Sequence, residues 1–239
     1  AKPVSFIEDC AVELKDLAEY TDGLNQIFDK YDTKGTWYAH ASVGCLHVRP
    51  VLNMKLQMDV SKMRNIANET SKLVKKFKGS YSGEHGDGIA RSEFNEIMFG
   101  KKMIDLFKIV KTSFDPTCIF NPGKIIDAPK LDTREYFRYA PSYNSENLNT
   151  ILDWSSWTGN SEGFQGAIEM CNNNGACRKL DGGVMCPSFR ATRDEKDSTR
   201  GRANTLRLAI SGQLGKQAMY GKEMSDTMQL CVSCKACKR

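Results

Sequence analysis

Cysteine placement constrains this chain more than any other feature. Six of its nine cysteines, Cys171, Cys177, Cys186, Cys231, Cys234 and Cys237, fall in the last 69 of 239 residues. Cys10, Cys45 and Cys118 are scattered through the rest, where each reads as a small buried apolar side chain. The total is odd, and the start AKPVSFIEDC has no basic segment followed by an apolar one. Both facts speak against a disulfide framework and for a reducing, cytoplasmic setting. Clustered thiols then read as metal or iron–sulfur ligands.

Cys231-x-x-Cys234-x-x-Cys237 is the sharpest of these signals, because three thiolates at that spacing wrap one iron–sulfur cluster. A zinc site is the alternative, since C-x-x-C also serves zinc. Cys186-Pro187 adds the Cys-Pro pair that closes such a run, and in two-cluster ferredoxins that last cysteine ligates the other cluster. Cys186 is therefore assigned to the cluster of Cys231, Cys234 and Cys237, which completes a four-thiolate set. Cys171 and Cys177 remain, in C-N-N-N-G-A-C, with Asn174 where C-x-x-C-G-x-C has its middle cysteine. A second cluster on this pair is expected to be short of ligands.

Composition narrows the rest. With 40% hydrophobic and 26% charged residues the chain falls in the soluble globular range. Its 34 basic and 29 acidic side chains are interleaved, and a net charge of +5 does not argue for nucleic acid. No apolar run approaches the ~18 residues of a membrane span. Residues 3–9 are a strand candidate, and residues 11–31 carry apolar side chains at mostly helical spacing. Residues 36–39 and 46–51 are β-prone and form either a hairpin or two neighbouring strands. Helices are expected over residues 60–77, with its lysines on the solvated side, and over residues 93–111, ended by Asp115-Pro116. From Asp127 to Trp157 the periodicity fades into prolines, tyrosines and asparagines. The expected division is a domain over residues 1–127, a linker over 128–160 that docks by its aromatics, and a mostly helical domain over 161–239. In the last, Ser198 or Thr199 caps a helix that Gly212 stops.

All three histidines lie in two short polar segments, YAHASVGCLHVRP and SYSGEHGDGIARSEF. His40 and His47 can converge from neighbouring strands. Two neutral imidazoles and a carboxylate such as Glu84 make a three-ligand site with positions open for substrate. Gly83 and Gly86 let the backbone turn sharply around Glu84-His85. If that dipeptide is extended, its side chains point to opposite faces, one toward a metal and one toward a second reactant. On spacing alone the same residues also read as ordinary polar loop positions.

YAHASVGCLHVRP, SGEHGDGIARSEF and DPTCIFNPGKI, in this order, resemble the C-terminal domain of the FAD-linked oxidases that act on D-2-hydroxy acids, over roughly residues 1–127. D-Lactate, glycolate and D-2-hydroxyglutarate dehydrogenases are of this kind. The resemblance implies an α+β substrate-cap domain with an antiparallel sheet and helices. It puts a divalent metal (Zn, Mn or Fe) on His40, His47 and Glu84, and the active-site base on His85. The first motif departs from the family's G-H-x-G-D-G-N-L-H at Ala39, Ser42, Val43 and Cys45, although both histidines are kept. Arg49, on the same strand face as His47, is a candidate clamp for a substrate carboxylate, with a surface arginine as the alternative. Asn121 and Lys124 fall where the family's domain returns toward the flavin, and equally read as a turn after a helix.

The stretch from MCPSFRAT through DSTRGRANTLRLAISG resembles the helical ferredoxin modules fused to such oxidases. There a further Cys-Pro follows the last cysteine run, and a flavin-binding domain precedes the whole. The resemblance therefore implies an internal piece of a larger flavo-iron–sulfur enzyme, inactive by itself. In that enzyme a D-2-hydroxy acid reduces FAD, with His85 taking the hydroxyl proton. The iron–sulfur clusters then hand electrons singly to an acceptor, a quinone or a redox protein, which leaves peripheral association with the inner face of the membrane open. The rival reading is a non-catalytic electron-transfer subunit or a zinc-stabilised interaction module.

Overall fold

Tyr20, Leu24, Ile27 and Phe28 recur three and four residues apart, and that spacing makes the first helix amphipathic. In the computed structural model, which describes residues 1–141, 143, 148–157, 163–171, 174–183 and 185–238, these four line the buried side of α1, Leu17–Lys30. The chain divides into two units, residues 1–141 and 142–239.

The first unit is built on an antiparallel sheet of β1 (Lys2–Pro3), β2 (Cys10–Ala11), β3 (Gly35–His40) and β4 (Cys45–Leu52). β4 is central. β3 pairs along most of its length, from Gly35 opposite Pro50 to His40 opposite Cys45, while β1 and β2 pair with its two ends. The 36–39 and 46–51 runs are thus a hairpin, closed by the turn Ala41–Val43 and by Gly44 in the left-handed region at φ 71°. A Cβ on Gly44 would lie 1.9 Å from the Val12 carbonyl oxygen, so both the conformation and the close approach require glycine.

Residues 3–9 are not the continuous strand that their apolar content suggests. Only the flanks pair. The segment between bends inward and buries Phe6 and Ile7 in the core, because these side chains gain more from the apolar interior than from one face of a sheet edge. That bend carries Glu8 and Asp9 to the end of β2.

α2, Gln57–Lys76, presents Val60, Met63, Ile66, Ala67, Thr70 and Val74 to the same core, with Lys72, Lys75 and Lys76 exposed as expected. The helix expected over residues 93–111 is broken. After the short α3 (Gly88–Arg91) come α4 (Asn95–Phe99) and α5 (Lys101–Phe114), separated by Gly100 at φ 82° and ψ 158°, a conformation that ends a helix. Asp115 closes α5, as the sequence indicated. Cys118 is exposed rather than buried, since it sits on the turn that follows, at φ 52°. Leu131 and Phe137, from the segment read as a linker, pack on the core of the first unit.

The second unit is helical: α6 (Gly163–Ile168), α7 (Pro187–Thr192), α8 (Thr199–Ile210) and α9 (Lys222–Met228). Proline at the first position of α7 needs no backbone donor there. Ser198 caps α8, accepting from the Gly201 amide at 2.9 Å. α8 packs against α6 and α9. Among the described residues no helix is long and apolar enough to cross a membrane.

Candidate metal and redox site

His40 ends β3 and His47 lies on β4, so the hairpin register brings the two imidazoles together at a ring-centroid separation of 5.2 Å. The 83–86 loop adds Glu84 and His85. Three ring nitrogens then converge on one carboxylate oxygen: Glu84 Oε1 lies 3.0 Å from His47 Nε2, 3.2 Å from His40 Nε2 and 3.4 Å from His85 Nε2. The rings of His47 and His85 stack at 4.6 Å. Glu84 and His85 therefore face the same centre, not opposite faces. The loop is bent, and the amides of both residues are tied to the Asp9 carboxylate, His85 N at 2.9 Å and Glu84 N at 3.1 Å.

The donor set fits a cation. His47 Nδ1 lies 2.8 Å from the Glu8 carbonyl oxygen, which only accepts, so Nδ1 carries the proton. In the neutral ring Nε2 is then a bare lone pair aimed at a carboxylate oxygen. His85 repeats the pattern, with Nδ1 3.1 Å from Glu8 Oε1 and Nε2 turned inward. Lone pairs facing a carboxylate repel unless a proton or a metal ion lies between them, and a histidine whose other nitrogen donates to a carbonyl or carboxylate is in the tautomer that metals bind. His47 is buried, while the side chains of His40, Glu84 and His85 are 41–59% exposed, which leaves the centre open on one side.

Sequence reasoning missed three residues that hold this arrangement. Glu8 accepts from His85 through Oε1 and from Arg49 through Oε2, at 3.2 Å from Nε and 3.0 Å from Nη2. Burial pushes its carboxyl up, but these two partners outweigh that and hold it below its ordinary value. Asp9 is fully buried. Burial raises its pKa, yet the amides of His85 and Glu84, with Arg91 and Ser82, bring it below the usual carboxylate range. Arg91, also buried, donates to the Gly86 carbonyl and lies 3.9 Å from both acids. The signal was the pair Glu8-Asp9 inside an otherwise apolar run.

Arg49 stands on the same face of β4 as His47, its guanidinium half-exposed and anchored on Glu8. Asn121 and Lys124 lie on the turn after α5 and border an apolar cavity of about 710 Å³, with Phe99, Phe107, Val110 and Phe120. Asp87, Asn95, Phe99 and Ile125 line both this cavity and a second, of about 370 Å³, that opens beside Glu84.

None of the nine cysteines is in a disulfide. Burial pushes Cys10 up to about 12 and Cys45 up to about 11, as inert structural thiols. Cys171 and Cys177 both lie within electrostatic range of Arg200. Cys186 is buried at the start of α7, where Ser188 Oγ donates to the carbonyl of Leu230, the residue before Cys231. Cys231, Cys234 and Cys237 are exposed. Asn174 Oδ1 accepts from the Ala176 amide at 2.9 Å.

Comparison with known proteins agrees with both halves of this description. The profile of the FAD linked oxidases, C-terminal domain, matches residues 1–125, and that of the 4Fe-4S dicluster domain matches residues 167–239. The chain belongs to the FAD-linked oxidases. This is a family of flavin-dependent oxidoreductases, and here its C-terminal domain is followed by an iron–sulfur domain. The chain is 29% identical over 269 residues to a D-2-hydroxyglutarate dehydrogenase of Pseudomonas putida and 28% identical over 273 residues to that of Escherichia coli, with 99% of the chain covered in each case. It is also 30% identical over 124 residues, 52% of the chain, to the glycolate oxidase subunit GlcD of Bacillus subtilis. It spans about a quarter of the length of these relatives, 26% in each case.

Proposed function

We propose that this chain is the substrate-side and electron-exit portion of a flavin- and iron–sulfur-dependent dehydrogenase that oxidises a D-2-hydroxy acid to the 2-oxo acid. The observation that carries the reading is the convergence of His40, His47 and His85 on one oxygen of Glu84. Relatives that match the whole chain are D-2-hydroxyglutarate dehydrogenases, which favours that substrate over the shorter hydroxy acids.

His40, His47 and Glu84 would hold the divalent ion. His85, held by Glu8 with Nδ1 protonated, presents Nε2 as the base for the C2 hydroxyl proton. Arg49, fixed along one edge by Glu8, offers its exposed side to a substrate carboxylate. Asn121 and Lys124 would meet the flavin, along a cavity that shares lining residues with the one beside Glu84. Cys186, Cys231, Cys234 and Cys237 would hold one cluster, and Cys171 and Cys177 would contribute to the other. When bound, the ion supplies Lewis acidity at the hydroxyl, the flavin hydride acceptance, and the clusters single-electron transfer to a quinone or redox protein.

The test is made in the full-length protein. His47→Ala should lose the divalent metal counted apart from cluster iron, and D-2-hydroxyglutarate should no longer bleach the flavin. Equal metal content and equal bleaching in the two proteins would overturn the proposal.

A further inference from the structure

Arg202, on α8, is a buried cation whose ion-pair partner among the described residues, Asp197, lies at long range. Nε donates to the Thr227 carbonyl at 3.2 Å, and Nη1 donates to Cys186 Sγ at 3.1 Å. The nearest carboxylate oxygen, Asp197 Oδ1, is 4.0 Å from Nη2, and neither of these buried atoms has a hydrogen-bond partner. Arg202 and Cys186 are 9% and 8% exposed, so the contact is shielded from water. A buried guanidinium with so little neutralisation costs free energy unless an anion comes close to it. Deprotonated as a cluster ligand, the Cys186 sulfur would be a second anion, closer to the guanidinium than Asp197. As a thiol it also reaches the Asp197 carbonyl, at 3.0 Å. As a cluster ligand it loses its proton, and Arg202 stays as its charged donor.

We propose that Arg202 is the positioning residue that sets the reduction potential of the cluster held by Cys186, making that cluster easier to reduce than it would be with an uncharged neighbour. Reduction adds one electron to the cluster and makes no bond. The electron comes from the hydroxy acid by way of the flavin and leaves to the acceptor. The added negative charge spreads onto the ligating sulfurs, and a guanidinium N–H on one of them stabilises the reduced state more than the oxidised one. At a buried site this preference is weakly screened. Arg200 stands differently, on the side of Cys171 and Cys177 and bonded to Glu195 at 2.6 Å, so its charge is neutralised. The two clusters would thus have unequal cationic neighbours.

The inference rests on Cys186 being a cluster ligand, and the experiment separates the two. Full-length protein is isolated anaerobically, and its clusters are titrated potentiometrically under electron paramagnetic resonance. Cys186→Ala should abolish one cluster signal; if both signals persist, the ligand assignment fails and the inference with it. With that signal identified, Arg202→Gln should move its midpoint to more negative potential and leave the other unchanged. Arg202→Lys, which keeps the charge but not the second donor, should restore part of the shift. An unchanged midpoint in whichever variants retain full iron overturns the proposal. Wild-type protein labelled with ¹⁵N-arginine gives a reading that needs no variant. Electron–nuclear double resonance on the signal lost in Cys186→Ala should show coupling to an arginine nitrogen, and its absence also overturns the proposal.

Discussion

Glu8 touches three residues of the proposed site through three different oxygens: His85 through Oε1, Arg49 through Oε2, and His47 through its main-chain carbonyl. Only the first two depend on the side chain. Glu8→Ala should therefore leave the metal ligands in place while freeing His85 to change tautomer and Arg49 to swing away. The expected result is a fall in kcat of about ten- to a hundredfold, the usual cost of losing such a supporting contact, with metal content unchanged. Steady-state kinetics beside elemental analysis of the full-length protein would check it. An equal loss of metal would mean that Glu8 serves the ion. The role of Glu8 was not legible in the sequence, because nothing in PVSFIED says which carboxylate will meet a histidine 77 positions later. The histidines were legible, since all three fall in two short polar segments and the rest of the chain has none.

Two elements fix where these residues meet. In the β3–β4 hairpin the turn sets the register of His40 against His47. Gly44→Ala introduces a left-handed alanine, which costs about 1–2 kcal/mol, and drives its Cβ into the Val12 carbonyl. The melting temperature should fall by more than in Gly123→Ala, where φ is also positive, at 69°, but the nearest atom is 3.5 Å away. Thermal unfolding of the two variants side by side measures the difference. The other element is the turn after α5 that carries Asn121 and Lys124. Asp115 organises it, bonding Lys111 Nζ at 2.5 Å and the amides of Ile119 and Phe120 at 3.0 Å. The Lys111 contact, with these amides, holds the Asp115 carboxyl below its ordinary pKa. A depressed carboxyl stabilises the fold above its unfolded pKa of about 3.9, and that contribution is lost as pH falls through the folded value. Asp115→Asn should thus melt below wild type at pH 7, and the gap should narrow as pH falls below about 3.9 and through the depressed folded value. A constant gap across that range would show that the charge is irrelevant. The end of α5 could be read from Asp115-Pro116, but the break at Gly100 could not, because apolar spacing continues across it and only the backbone angles reveal the interruption.

At the scale of the whole chain, the two units rest on different sources of stability. The first buries a continuous core that runs from Phe6 and Ile7 through α1, β4 and α2 to Phe94 and Leu131. In the second, among the described residues, buried apolar side chains are few: Ile168, Cys186, Phe189, Ala209, Ile210 and Met224. Leu152, Leu180, Leu214, Leu230 and Val232 are exposed there. A unit with so little apolar burial needs another source of free energy, and the proposed ligation of iron by its thiolates would supply it, since binding energy at a site absent from the unfolded chain is folding energy. Removing the clusters by anaerobic chelation should therefore loosen residues 163–238 and leave the first unit intact. Limited proteolysis followed by mass spectrometry should show new cleavages confined to the second unit, and calorimetry should show one transition lost or lowered while the other stays where it was. The sequence foreshadowed this contrast in its uneven cysteines, but the number of buried apolar contacts on each side became countable only in the folded chain. If iron removal lowers both transitions together, the units share one cooperative fold and the independent stability assigned to the first is wrong.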